Sequence, residues 1–176
     1  DSDSPTAFFL GRQPILDRKG ETVAYELLFR SGETNAAAFS SHHEATVHVV
    51  ARAFSELGLQ NVLGGQMGFL NFDASMLSCE LVDVLPPELI VLELLEHVEI
   101  TEALVDCCRT LRERGFHFAL DDITALEPHH RAILPHVSYV KVEVLGMPDD
   151  SIAKLARQLK PLALKLLAEK VETVEQ

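Results

Sequence analysis

The chain has 176 residues, enough for one domain with a sizeable core, and 47% of them are apolar. Its formal net charge is −12, with no basic stripe to offset it, so a nucleic-acid-binding surface is excluded. No apolar run reaches the roughly 18 residues of a membrane helix, and residues 1–5 are polar and acidic, unlike a signal peptide, so a cytoplasmic protein without a membrane partner is expected.

In chain order, residues 7–16 read as a strand after a short tail (1–6), and 17–20 as a turn into a second strand, 22–29. Residues 31–41 are small and polar, a loop. Residues 44–57 place apolar side chains at helical spacing and stop at Gly58. Strand 67–72 is followed by a short helical turn at 73–77. Strand 89–94 precedes a helix over 101–114 closed by Gly115, and strand 116–120 precedes a helix across 127–134. Strand 139–144 leads to a helix at 150–159 and a break at Pro161, and 162–168 is the last strand.

Strands alternating with helices imply parallel βαβ units, and the nearly continuous apolar run at 89–94 suits a strand covered on both faces. A doubly wound sheet and a (β/α)₈ barrel both fit. Asn71, Glu93, Asp121-Asp122, Lys141 and Glu169 each stand at or near the end of a separate predicted strand, and Glu26 lies inside the second. A doubly wound sheet gathers its site at one switch point served by few strands, whereas a barrel brings every strand end to one mouth. The distribution favours the barrel. About seven strands are predicted against the roughly 250 residues of a closed barrel, so the barrel is expected to be shortened or incomplete at its C-terminus.

Carboxylates converging in an apolar mouth are costly unless paired. Mg²⁺ or Mn²⁺ would offset that cost, since hard cations prefer carboxylate and amide oxygens, and Asn71 would add a neutral oxygen. Lys141 would supply a positive charge able to orient or deprotonate a water. Such a site can act on a phosphodiester. Taken singly, Glu26 could be a surface strand residue, the paired aspartates a helix cap, and Lys141 an exposed lysine; the repeated strand-end placement points to a site. The histidines show no metal-binding i, i+4 pair and read as surface or supporting residues. Cys79 stands alone and Cys107-Cys108 are adjacent, which suits buried inert thiols rather than disulfides or zinc ligands.

Seven ordered segments resemble the EAL domain family of bacterial cyclic di-GMP phosphodiesterases. Gln13-Pro14-Ile15 resembles the opening Q-P-I, and Tyr25-Glu26-Leu27-Leu28-Phe29-Arg30 resembles the signature segment, with Leu27 in place of alanine. Leu70-Asn71-Phe72 carries the matching asparagine, and Leu92-Glu93-Leu94-Leu95-Glu96 resembles L-E-I-T-E. Leu120-Asp121-Asp122 matches the start of L-D-D-F-G-T-G, Val140-Lys141-Val142-Glu143 resembles L-K-I-D, and Ala168-Glu169-Lys170-Val171-Glu172-Thr173 resembles A-E-G-V-E-T. The resemblance implies a modified TIM barrel with an antiparallel first strand. It implies Glu26, Asn71, Glu93, Asp121, Asp122 and Glu169 as metal ligands, with Glu26, Asp122 and Lys141 in the catalytic set. It gives Gln13 and Arg30 contact with the nucleotide and Glu96 the task of steadying the loop after the aspartates.

This chain departs from the family after Asp122, where Ile123-Thr124-Ala125-Leu126-Glu127-Pro128 replaces a glycine-containing loop, and at Leu95, where the family has threonine. The segments around residues 25–31 and 167–173 resemble a divergent branch in which this domain precedes an HDOD output module. That implies a single EAL-like domain over 1–176, with a further barrel strand and the output domain beyond it. The expected function is cyclic di-GMP signalling that regulates the output domain with weak or absent hydrolysis; the alternative is an active Mg²⁺/Mn²⁺-dependent phosphodiesterase.

Overall fold

A computed structural model describes residues 8–17, 19–31, 58–72 and 81–171. The expected tail, residues 32–41 of the expected loop at 31–41 (Ser31 itself ends a strand), the helix at 44–57, the turn at 73–77 and Cys79 lie outside the described residues. Contacts divide the chain into two compact units, Asp1–Leu70 with Ser75–Ile90, and Asn71–Ala74 with Val91–Gln176.

In the first unit, β1 (Phe8–Leu16) and β2 (Thr22–Ser31) form an antiparallel hairpin, and β2 pairs in parallel with β3 (Met67–Phe72). The hairpin turn is fixed by Asp17, whose Oδ1 accepts the backbone N–H groups of Lys19 and Glu21 at 2.8 and 3.0 Å. Two short helices went unread in the sequence, α1 (Leu59–Leu63) and α2 (Leu81–Val84). At five and four residues they are too brief to show periodicity. Leu27, Leu63 and Phe69 are buried. A Cβ at Gly68 would lie 2.9 Å from Leu27 Cδ1 and 3.0 Å from Leu63 Cδ2, so the leucine at 27 is accommodated by the missing side chain at 68.

The second unit runs β4 (Ile90–Leu94, Ile90 belonging to the first unit), α3 (Glu102–Glu113), β5 (His117–Ile123), β6 (Tyr139–Glu143), α4 (Asp149–Leu159) and β7 (Lys165–Glu169). Its strands pair in parallel in chain order. Thr101 caps α3 by accepting the Leu104 N–H at 3.2 Å. Leu104, Cys108 and Leu111 on α3, Leu155 and Leu159 on α4, and Leu92, Phe118 and Val140 on the strands are all buried.

Three expectations are corrected. The helix across 127–134 is instead two 3₁₀ turns, Pro128–Ala132 and Leu134–His136. Pro135 cannot donate into a helical ladder, and His130 Nδ1 accepts the Glu127 N–H at 3.0 Å, closing a tight cap; His130 is thereby a buried structural residue. Strand β7 starts at Lys165 rather than 162, because Lys160–Leu162 turn around Pro161 and Ala163 is left-handed (φ 54°). Strand β5 continues through Ile123, so both aspartates lie inside it. No described helix is long and apolar enough to cross a membrane.

Candidate metal centre

The carboxylates of the second unit stand where β4 to β7 approach their C-terminal ends, with Asn71 next to last on β3. Lys141 is at their centre. Its Nζ lies 2.8 Å from Glu93 Oε1, 2.8 Å from Asp121 Oδ1 and 2.7 Å from Glu169 Oε1. The Lys141 side chain is 3% exposed and that of Glu93 is 0%. Burial alone would lower the Lys141 pKa, but the carboxylates of Glu93 and Asp121 outweigh it and hold the ammonium firmly charged.

A local irregularity brings Asp121 and Asp122 to one place. In a regular strand consecutive side chains point to opposite faces. Here the pairing of β5 with β6 slips between Leu120 and Ile123, and Asp122 adopts a left-handed conformation (φ 48°). Aspartate tolerates that region better than most residues, and bulges of this kind re-aim side chains. One oxygen each from Glu96, Asp121 and Asp122 then falls within 4.8 Å of the others.

Lys170, directly after β7, is also left-handed (φ 56°), and its Nζ reaches Asp122 Oδ1 at 3.2 Å and Glu143 Oε1 at 3.0 Å. The family phrase that Ala168–Thr173 resembles has glycine here, the residue this backbone favours. A lysine in its place puts a cation on the second aspartate, which sequence reasoning missed.

Glu93, Asp121, Asp122, Glu143 and Glu169 thus share two ammonium groups, which leaves negative charge in excess. Burial, with the charges of Asp121 and Asp122, pushes the Glu169 carboxyl up to about 7 against the pull of Lys141. Asn71 Oδ1 and Glu169 Oε2 are buried and accept no hydrogen bond. An all-oxygen donor set with excess negative charge and two unfilled acceptors fits a hard divalent cation.

The remaining candidates are placed as follows. Gln13 and Glu26 are direct cross-strand neighbours in the first unit, Gln13 exposed and Glu26 half-buried. The Arg30 side chain lies outside the described residues. Cys108 is buried, and burial with the neighbouring Cys107 raises its pKa to about 12, as suits an inert thiol.

No family model matches the chain. It is 33% identical over 169 residues to the uncharacterized protein YuxH of Bacillus subtilis, covering 94% of this chain, and 34% identical over 177 residues to the cyclic di-GMP phosphodiesterase CdgJ of Vibrio cholerae, covering 99%. The chain spans 41% of the length of each of these curated relatives. Among solved structures it superimposes on a PaMucR phosphodiesterase in complex with c-di-GMP (TM-score 0.74, 22% identity, 96% of this chain and 87% of that one). It also superimposes on the Bacillus subtilis YkuI protein, described as having an EAL domain in complex with substrate c-di-GMP and calcium (TM-score 0.71, 19% identity, 94% and 49%). These likenesses establish the α/β fold of the EAL-type TIM barrel with its antiparallel first strand pair. Along nearly its whole length the chain is similar in sequence to a cyclic di-GMP phosphodiesterase, and its fold is that of EAL-domain proteins.

Proposed function

We propose that this domain binds cyclic di-GMP, or a partner protein, at the carboxylate ends of its strands and thereby regulates an attached HDOD-like output domain, with weak or absent hydrolysis. The observation that carries this reading is a contrast at the end of β5. The carboxylates are assembled around Lys141, yet the paired aspartates are followed by Ile123, which ends β5, and then by Thr124-Ala125-Leu126, and no glycine occurs between Gly115 and Gly146. A loop that must fold closely over ions and substrate draws on glycine's conformational freedom, and this one lacks it.

Asn71, Glu93, Asp121, Asp122 and Glu169 would hold Mg²⁺ or Mn²⁺, with Glu96 within reach of the paired aspartates. When bound, such an ion would polarise a phosphodiester. Held charged by three carboxylates that occupy its three N–H donors, Lys141 would orient a water or phosphate oxygen once a bound ion takes over one of those carboxylates, rather than taking a proton. For Glu26, Gln13 and Arg30, in the first unit, the family resemblance alone supports ligand and nucleotide-contact roles.

Hydrolysis to linear pGpG is the second reading, favoured by the retention of a buried cluster that is expensive to keep without use. The two separate when full-length protein is given cyclic di-GMP and Mn²⁺ beside a Glu26→Ala control. Calorimetric binding without linear product is the expected result. Product that disappears in the control establishes the enzyme instead, and neither binding nor turnover leaves regulation through a protein partner.

A further inference from the structure

At the opposite, N-terminal ends of β5, β6 and β7 the second unit has a cavity of about 640 Å³. Ligand pockets fall in roughly the 300–1,000 Å³ range. Three cations line it, Arg112, Arg131 and Lys165, together with His117, and none of its lining residues is acidic. In a chain carrying −12 formal charge that segregation is pronounced. No ion pair among the described residues joins any of the three to a carboxylate.

The cavity is also organised. Arg112 Nη1 donates to Ser138 Oγ at 3.2 Å and to the His136 carbonyl at 3.4 Å, which fixes one edge of the guanidinium and leaves its other donors unused by these bonds. Ser138 Oγ is in turn 3.0 Å from His117 Nδ1. Lys165 Nζ stands 5.4 Å from the Tyr139 ring centroid, and His117 meets the same ring edge-on at 6.5 Å. Burial lowers the His117 pKa, and the charges of Arg112 and Lys165 lower it further, so the local field is positive despite the acidic whole. Leu162, 44% exposed, adds apolar surface to the lining.

We propose that this cavity is an anion site for a phosphomonoester of mononucleotide size, its phosphate held by Arg112, Arg131 and Lys165 and its organic part against Tyr139 and Leu162. Two guanidinium groups match the geometry of a phosphate better than that of a point anion. The cavity is much larger than a bare phosphate needs. The site stands apart from the carboxylates and does not rest on their function.

The test is calorimetry on the full-length protein at low salt with EDTA present, which removes divalent cations from the carboxylate end. AMP is expected to bind, adenosine not to bind, and inorganic phosphate to compete with AMP. Arg131→Ala and Lys165→Ala should each weaken AMP about tenfold, the equivalent of losing one charge-assisted hydrogen bond. Lys165→Arg should retain most of the affinity and Arg131→Lys only part of it, since lysine keeps the charge but not the planar fork, and circular dichroism melts establish that each variant is folded. Phosphate binding as tightly as AMP would overturn the mononucleotide assignment in favour of the free anion. The absence of heat at millimolar AMP, or an affinity unchanged in the Arg131→Ala/Lys165→Ala double variant, would overturn the site itself.

Discussion

The two ends of β5, β6 and β7 solve opposite electrostatic problems. At the C-terminal ends, carboxylates are buried around Lys141 with negative charge in excess; at the N-terminal ends, arginines and a lysine border an open cavity with no acid on its lining. The exposure of the groups makes the difference energetic. Arg112, Arg131 and Lys165 are exposed and keep their hydration, whereas Glu93 and Lys141 have lost theirs and depend on each other. The acidic end is therefore coupled to folding, and the basic end is nearly free of it.

The largest effect should come from Lys141→Ala, which strands buried carboxylates without their shared cation. A loss of about 3–5 kcal/mol in urea unfolding is expected, with part of it restored by Mn²⁺. An equal loss from Arg131→Ala would break the contrast between the two ends. Next is Glu93→Gln, which removes one charge from the excess: without metal the protein should gain about 1 kcal/mol, read as a rise of about 2–4 °C in Tm, while Mn²⁺ binding weakens. A destabilised metal-free Glu93→Gln would mean that Lys141 and its partners are balanced as they stand.

Lys170→Gly relieves a left-handed lysine and removes the cation from Asp122 and Glu143. Mn²⁺ affinity, measured by calorimetry or by electron paramagnetic resonance of the free ion, should tighten several-fold. An unchanged affinity would show that Lys170 does not compete for the second aspartate.

The smallest effect concerns pH. The groups around His117 are Arg112 on α3, Ser138 and Tyr139 at the start of β6, and Lys165 on β7. Because its folded pKa is lowered, the unfolded chain takes up the proton first as pH falls. His117 therefore contributes stability that is present above the unfolded value of about 6.5 and is lost as pH falls from there towards the folded value. His117→Asn should flatten stability over that interval, and an unchanged slope would assign it elsewhere.

Much of this was legible in the sequence because it is periodic or punctuated. Strands β3, β4 and β6, helix α3 and the Asp17–Gly20 turn follow from apolar spacing and from residues with one conformational use. The strand-end positions of Asn71, Glu93, Lys141 and Glu169 follow from the same reading, and their order along the chain carried the family resemblance. Neither periodicity nor motif could show that Asp121 and Asp122 converge, since that requires a register slip against β6. Nor could they show that Lys170 reaches back to Asp122, or that Arg112, Arg131 and Lys165, dispersed over some fifty residues, border one cavity. Sequence determines what each short segment prefers, because those preferences are local. Which distant charges meet, and how much water they keep when they do, is decided only when the strands are laid side by side.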